Sequence, residues 1–237
     1  MSEPSEQELR ELVSLACKIL YSQGQEHFYL GHISARAPGS EKVWVKPSGI
    51  GLGETEPEDV IAIDLDGKQL SEGRPAHKEM PIHTEIYRAR PDVNCVVHTH
   101  PFYAAAYAAA DAKFEYVSQD GVLFSDGVGH YRSAPLVVRK EQGVALAKAL
   151  GSHKAVVLKN HGIAVVSSSV QDAVFLALSF DRSLRMQHAA SQFGPIDPIS
   201  PDEVREMNEY FDKSYGGRIE ATWDYMLRQA GLATRTS

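Results

Sequence analysis

Hydrophobic residues recur at helical spacing in several separate stretches of the chain. Near the N-terminus, Ser5 and Glu8 form a capping box ahead of apolar residues spaced three or four positions apart, which predicts a helix ending near Gly24. The same spacing predicts further helices over residues 80–90, 102–110, 140–150, 170–193, 202–215 and 219–229. The helix over 170–193 is long and amphipathic.

Short apolar and β-branched runs between these helices predict strands. They cover residues 28–36, 42–46, 60–65, 68–70, 93–100, 136–138, 155–158 and 163–166. Asp66-Gly67 is a hairpin signal, and Asn160-His161-Gly162 forms a tight turn between the last two strands. Because no repeat or linker interrupts the pattern, we predict one α/β domain over 1–237 with three α/β/α layers and a largely antiparallel central sheet. The helices from about residue 200 form a C-terminal extension.

Composition narrows the classes of function. Hydrophobic residues make up 43% and charged residues 23% of the chain, as is ordinary for a soluble globular protein. The net charge of −7 argues against nucleic acid or an anionic membrane as a partner. No apolar run approaches the ~18 residues of a membrane span, and the polar N-terminus does not resemble a signal peptide, so we expect a cytoplasmic protein. Cys17 and Cys95 lie in apolar stretches and are predicted to be buried free thiols.

The most informative local motif is a pair of histidines one residue apart, His98 and His100, in a predicted strand that Pro101 ends. Side chains alternate along a strand, so both histidines point to one face, with Cα atoms roughly 6–7 Å apart. Two imidazoles at that spacing can bind one ion through metal–nitrogen bonds of about 2.1 Å. A chance pair on a half-exposed strand is the alternative interpretation.

Two further residues are candidates for the same site. His161 lies in a turn between two apolar strands, where a polar turn residue without function is the alternative. Glu79 lies at the start of a predicted helix, where a carboxylate often only complements the helix dipole. Each of these features is ambiguous alone. Together they are more informative, because they occur in the order Glu79, His98-x-His100 and Asn160-His161-Gly162.

In this order the motifs resemble the class II aldolase/adducin family, whose best-known enzymes are fuculose-phosphate aldolase and ribulose-phosphate epimerase. The resemblance runs from about Glu8 to Phe193. It also includes Gly31-His32-Ile33-Ser34, Pro47-Ser48-Gly49, Arg90-Pro91-Asp92-Val93-Asn94 and Lys159-Asn160-His161-Gly162. It implies a class II aldolase-like fold and a homotetramer with active sites between subunits.

The resemblance also implies a divalent metal held by His98, His100 and His161, with Glu79 as the proton-transfer group. Three histidines suit zinc best, and manganese, cobalt and iron also fit such ligands. The substrate is expected to be a small carboxylic acid or carbonyl compound.

The sequence departs from the sugar-phosphate aldolases at two of three phosphate-binding positions. His32 stands where those enzymes have asparagine, and His77-Lys78 replaces a serine pair, while Ser48-Gly49 remains. Such bulkier, potentially cationic groups suit a carboxylate or a ring hydroxyl, and Arg182 is a weaker candidate for binding the same acid. These forms are similar to the branch that contains adducin heads and decarboxylases of hydroxylated aromatic acids.

Three hypotheses follow from this pattern. The favoured one is a metal-dependent lyase that decarboxylates a hydroxylated aromatic or heteroaromatic carboxylic acid. The first alternative is a class II aldolase that cleaves a sugar phosphate or a hydroxy-keto acid. The second is a non-catalytic, adducin-like binding module, which has no need for the three histidines and the glutamate.

Overall fold

One mixed sheet runs through the middle of the protein. The computed structural model describes residues 3–233, and within them the sheet has seven strands. They are β1 (His32–Ala35), β2 (Val43–Val45), β3 (Ile61–Ile63), β4 (Cys95–Thr99), β5 (Gly129–Tyr131), β6 (Ala155–Leu158) and β7 (Gly162–Ser167). The spatial order is β3-β2-β1-β4-β7-β6-β5, and every neighbouring pair is antiparallel except β5 with β6. The largely antiparallel sheet is therefore confirmed.

Helices cover both faces of this sheet. They are α1 (Glu6–Ser22), α2 (Met80–Ala89), α3 (Phe102–Ala108), α4 (Gln119–Val122), α5 (Lys140–Leu150), α6 (Val170–Phe193) and α7 (Pro201–Gln229), with a short 3-10 turn at Leu52–Glu54. The buried residues of α1, α3, α4, α6 and α7 form one apolar cluster with the sheet. Those of α2 and α5 form a second cluster on the opposite face. This arrangement confirms the three α/β/α layers.

Two of the predicted strands are not strands in the structure. Residues 136–138 pair with no strand, because the amides of Val137 and Val138 donate instead to the side chains of Glu79 and Gln142. Residues 68–70 contribute only an isolated bridge between Ile63 and Gln69. The amide of Lys68 donates to the side chain of Asp64, and only a few backbone hydrogen bonds, such as that from Leu70 to Ala62, join this segment to β3.

The structure differs from the sequence-based prediction in two further places, at an unpredicted strand and at the C-terminal helices. Strand β5 has the sequence Gly-His-Tyr, without the apolar run that marks a buried strand, and it pairs in parallel with β6. The two predicted C-terminal helices are one continuous helix, α7, which runs through Gly216 and Gly217. Packing supports it there, since Tyr215 donates to Asp172 at 2.6 Å and Arg218 lies over the ring of Phe175.

Two predictions about burial and hydropathy can be compared with the structure directly. Cys17 and Cys95 are free and buried, as predicted. Among residues 3–233, no helix combines the length and apolar character needed to cross a lipid bilayer.

Candidate metal centre

His98 lies on β4, directly opposite His32 of β1, on the face of the sheet that is covered by α2. The side chain of His98 is fully buried, and its Nδ1 lies 2.9 Å from the carbonyl oxygen of Ile163. A carbonyl oxygen can only accept a hydrogen bond, so Nδ1 of His98 carries the proton. The Nε2 atom of His98 therefore keeps a lone pair for a ligand.

His161 reaches the same place from the turn between β6 and β7. Asn160 holds the left-handed conformation, with φ of 55°, and its amide donates to the carbonyl of Ala108 at 3.0 Å. At Gly162 an added Cβ would lie 2.5 Å from the carbonyl oxygen of Thr99 and 2.6 Å from Cδ2 of His100. Because only glycine allows this approach, Gly162 lets the turn close against the end of β4.

The three predicted ligands come together in one cluster. One ring nitrogen each from His98, His100 and His161 can be chosen so that all lie within 4.8 Å of one another. The Nε2 atoms of His98 and His100 are 3.0 Å apart. Nδ1 of His100 is buried and has no hydrogen-bond partner among the residues that the structure describes. This donor set fits a divalent metal bound by three imidazoles, with coordination positions left for a substrate.

Burial keeps these imidazoles neutral. It lowers the pKa of His100 to about 3, with the neighbouring His161 adding to the effect, and it lowers the pKa of His98 well below its usual value. Burial also lowers the pKa of His161, although the carboxylate of Glu79 works in the opposite direction. A histidine binds a metal only in its neutral form, so the site is prepared for an ion without a prior loss of protons.

Glu79 stands at the N-cap of α2, but its side chain makes no capping hydrogen bond. Its Oε1 accepts a hydrogen bond from the amide of Val137 at 3.1 Å, and its Oε2 lies 3.7 Å from Nε2 of His161. Glu79 also belongs to a second group of possible ligands with His32 and His98, again within 4.8 Å of one another. The carboxylate thus faces the histidines rather than serving as a helix cap.

The two histidines predicted to bind substrate, His32 and His77, are adjacent, with ring centroids 4.4 Å apart. Nε2 of His77 donates to the carbonyl of Pro47 at 3.0 Å. Burial, followed by the charge of Lys46, lowers the pKa of His77 to about 4, and burial lowers that of His32 well below its usual range. These rings therefore border the site as neutral groups rather than the cations that their residue type allowed.

The loop with Ser48 and Gly49 lies beside the segment that carries His77 and Lys78. The amide of Ser48 donates to the carbonyl of Pro75 at 2.9 Å, and Gly49 has a φ of 78°. Lys78 is exposed, and Arg74, which the sequence did not single out, lies next to Gly49. Polar and cationic groups thus form the outer rim of this region.

Arg182 is not brought to the histidines within the chain. It is exposed on α6 and forms an ion pair with Asp120 at 3.0 Å. Its neighbour Arg185 pairs with Asp181 at 2.7 Å. A role for Arg182 in binding substrate stays a prediction.

Sequence reasoning missed two buried residues next to the site. Lys46 is fully buried, and its Nζ lies 3.4 Å from Nε2 of His77. His83 is fully buried on α2 and contacts His32. A signal for His83 was available, since it follows Glu79 by four residues and so lies one helical turn further along. Nothing in the sequence pattern marked Lys46.

Comparison with known proteins agrees with this geometry. The sequence model of the Class II Aldolase and Adducin N-terminal domain matches residues 11–188. The chain belongs to the class II aldolase/adducin family. It is 31% identical to the 3,4-dihydroxyphthalate decarboxylase of Arthrobacter keyseri, over 94% of each chain. It is 28% identical to the L-fuculose phosphate aldolase of Methanococcus vannielii, over 78% of this chain and 98% of the relative.

The fold agrees with solved members of the family. A crystal structure of an aldolase II superfamily protein from Pseudomonas syringae superposes with a TM-score of 0.87 at 22% identity, over 97% of this chain and 94% of that chain. Class II aldolases depend on a divalent metal, and the cluster of His98, His100 and His161 is the candidate for holding it here. These relatives are named as a decarboxylase and as an aldolase, which are both lyases, and the comparison does not choose between the two reactions.

Proposed function

We propose that this protein is a metal-dependent lyase that decarboxylates a hydroxylated aromatic or heteroaromatic carboxylic acid. The observation that carries the proposal is the convergence of three neutral imidazoles from β4 and the β6–β7 turn, with Glu79 Oε2 3.7 Å from one of them. The similarity to a decarboxylase over 94% of both chains favours carbon dioxide as the leaving group. Zinc is the ion that this ligand set favours.

A bound divalent cation supplies a Lewis acid that stabilises the electron pair left on carbon when the carbon–carbon bond breaks. His98, His100 and His161 would hold it, and because they are neutral they leave the full charge of the ion available to the substrate. The buried surroundings strengthen this effect, since His98 is completely shielded from water.

Glu79 would supply the proton. The amide of Val137 fixes its Oε1, so that Oε2 is the oxygen that faces the histidines. In the proposed reaction, a hydroxyl of the substrate first gives its proton to the carboxylate of Glu79. Carbon dioxide then leaves, the electron pair stays on the ring carbon, and the carboxylic acid so formed on Glu79 protonates that carbon. A positioned acid of this kind typically contributes a factor of about 10²–10⁴.

The exposed rim of the site and its buried histidines would bind different groups of the substrate. Lys78, Ser48 and the backbone at Gly49 lie on the polar, exposed side, which suits a carboxylate. His32 and His77 are buried and neutral, which suits an uncharged hydroxyl. A homotetramer with sites between subunits remains part of the proposal, and Arg182 could reach a site only in such an assembly.

The test is to load the purified protein with zinc, or with manganese, cobalt or iron, and offer it two substrate classes. Hydroxylated aromatic carboxylic acids should release carbon dioxide, while sugar phosphates and hydroxy-keto acids should release no aldehyde. Protein stripped of metal and the variant His98→Ala are the controls, and both should be inactive. Aldehyde formation without carbon dioxide would reject the decarboxylase.

An aldolase is the second candidate, because the Ser48-Gly49 loop is retained and the L-fuculose phosphate aldolase relative matches 78% of this chain. A binding module is the third. Metal analysis separates it from both enzymes, since a module would bind no zinc or manganese in stoichiometric amount.

A further inference from the structure

A row of four buried polar side chains runs between β1 and α2, behind the candidate metal centre. It consists of His32, His83, Ser34 and Tyr87, none of which is more than 2% exposed. Nδ1 of His32 lies 2.6 Å from Nε2 of His83, and Nδ1 of His83 lies 2.6 Å from Oγ of Ser34. Oγ of Ser34 is in turn 2.8 Å from the hydroxyl of Tyr87. Every hydrogen-bonding atom between these residues therefore has a partner in the row.

The far end of the row determines the direction of all its hydrogen bonds. The hydroxyl of Tyr87 lies 3.0 Å from the backbone carbonyl of Ser34, and a carbonyl can only accept, so the single proton of Tyr87 goes there. The phenol oxygen then accepts from the hydroxyl of Ser34. Because Ser34 has given its only proton to Tyr87, its Oγ accepts from Nδ1 of His83.

The hydrogen bond between His83 and His32, at the end of the row nearest the metal centre, follows in direction from these. A neutral His83 with its proton on Nδ1 has a lone pair on Nε2, which accepts from Nδ1 of His32. Reversing the row would take the proton of Tyr87 away from the carbonyl and lose one buried hydrogen bond. Burial lowers the pKa of His83 to about 3, so this ring carries only the proton on Nδ1. The ring of His32 is buried and lies within 4.8 Å of the rings of His77, His83 and His98, surroundings that disfavour a second proton on it. The one nitrogen of His32 left outside the row is an Nε2 without a proton.

Because Nδ1 of His32 is taken up by His83, Nε2 is the nitrogen of this ring that is free to face the neighbouring metal centre. A ligand atom of His32 lies within 4.8 Å of ligand atoms of both Glu79 and His98, and the ring centroids of His32 and His98 are 4.8 Å apart. An acceptor held in a fixed, buried position attracts a hydrogen-bond donor and disfavours a carboxylate, whose lone pairs would face its own. A site built around such a group discriminates strongly against a ligand that lacks the donor.

We propose that His83 is a positioning residue that holds His32 as a fixed hydrogen-bond acceptor, so that the site selects a substrate with a free hydroxyl next to its metal-chelating oxygen pair. The selection of substrate rests on the proposed function, whereas the proton positions in the row do not. Within that function, the expected substrate is an aromatic acid that carries a second hydroxyl, distinct from the oxygens that chelate the metal.

The first experiment examines the row alone. Nitrogen-15 NMR of the zinc-loaded protein with labelled histidine distinguishes the two tautomers of each ring. His32 and His83 should both carry their proton on Nδ1, in the protein and without any substrate. A proton on Nε2 of His32 would overturn the proposal, and this result is independent of whether the protein decarboxylates anything.

The second experiment measures selection. Isothermal titration with 2,3-dihydroxybenzoate and with 2-hydroxybenzoate compares two probes that share one hydroxyl–carboxylate chelating pair and differ by one O–H group. The zinc-loaded protein should bind the dihydroxy probe about tenfold more tightly, as expected for one hydrogen bond. His83→Leu should bring this ratio close to one, while His83→Gln, which keeps an acceptor for His32, should keep part of it.

Three controls keep the result unambiguous. The same change at an exposed histidine, His188→Leu, should leave the ratio intact. If His83→Leu does not fold, Tyr87→Phe removes the proton that sets the direction and should lower the ratio by itself. Metal content should be equal in all variants. A ratio that survives His83→Leu would overturn the proposal, as would a loss of zinc from that variant, which would make His32 a metal ligand instead.

Discussion

The two faces of strands β1 and β4 differ in chemistry, although both are buried. Toward α1 and α6 the strands present Ile33, Ala35, Cys95 and Val97, which join one apolar core. Toward α2 they present His32, Ser34 and His98, all buried. The alternation of side chains thus builds packing on one side and chemistry on the other from the same few residues.

The difference shows how hydrogen bonds offset the free-energy cost of burying a polar face. On the apolar face, the residues need only fill volume, whereas on the α2 face each polar atom needs its own partner. Ser34, His83 and Tyr87 meet that need through a directed row, and His98 does so through the carbonyl of Ile163. Substitutions on the two faces should therefore fail in different ways.

The largest effect is expected from His98→Ala. This change removes a proposed metal ligand, so the metal content should fall and kcat/KM should drop by more than the ~10²–10⁴ that one proton-transfer group contributes. Elemental analysis together with turnover measures both. Val97→Ala, one residue away on the apolar face, is the matched control and should keep its metal. Equal metal content in the two variants would remove His98 from the ligand set.

Glu79→Gln should come next. The amide keeps an acceptor for Val137 but cannot deliver a proton, so kcat should fall by about 10²–10⁴ while metal content stays the same. Steady-state kinetics on the metal-loaded variant gives the answer. A loss of metal in proportion to the loss of activity would make Glu79 a ligand rather than a proton donor.

Ile33→Ala tests the apolar face. The side chain is fully buried in the core beneath α1, and its truncation should lower the free energy of unfolding by about 2–5 kcal/mol. Chemical denaturation measures this, and metal content per folded protein should not change. A selective loss of metal would show that the two faces are not independent.

Lys46 gives a prediction about pH. Burial lowers its pKa from 10.5 to about 8 in the folded protein. Between about pH 8 and 10.5 the unfolded chain holds a proton that the folded chain has lost, so this lysine makes stability rise with pH, by at most about 1.4 kcal/mol per unit. Lys46→Met should remove that rise in denaturation curves measured across this range. A parallel pH dependence in both proteins would contradict the assignment.

Arg182→Ala should have the smallest effect. Its ion pair with Asp120 lies at the surface, so the expected change in stability is below about 1 kcal/mol. Turnover should be unchanged if each site is built from one chain. A clear rise in KM would instead show that assembly brings Arg182 to a neighbouring site.

The sequence was sufficient to predict what depends on local patterns. The helix over 170–193 matches the structure because its apolar spacing is long and regular. The cluster of His98, His100 and His161 was predicted from a strand motif and a turn motif in a recognisable order, and the structure brings the three side chains together. Local patterns do not predict contacts between residues that are distant from each other in the sequence. The segment 136–138 has the composition of a strand, but its Val137 amide is already used by Glu79, 58 residues away in the chain. Lys46 is such a case, because its contact with His77 joins residues 31 positions apart in the chain. The position of His83, four residues after Glu79, was a local signal, but its contacts with His32 and Ser34 depend on how α2 packs on β1.

The approach of the Asn160-His161-Gly162 turn to the end of β4 has a mechanical consequence. His100 and His161 lie 61 positions apart, His100 directly after β4 and His161 directly before β7, and these two strands are neighbours in the centre of the sheet. A cation shared between them would act as a cross-link that closes this long loop, and it would bind only while the seam between β4 and β7 is intact. Filling the site would therefore resist separation of the sheet, by about 2.7 kcal/mol at a free metal concentration one hundred times Kd.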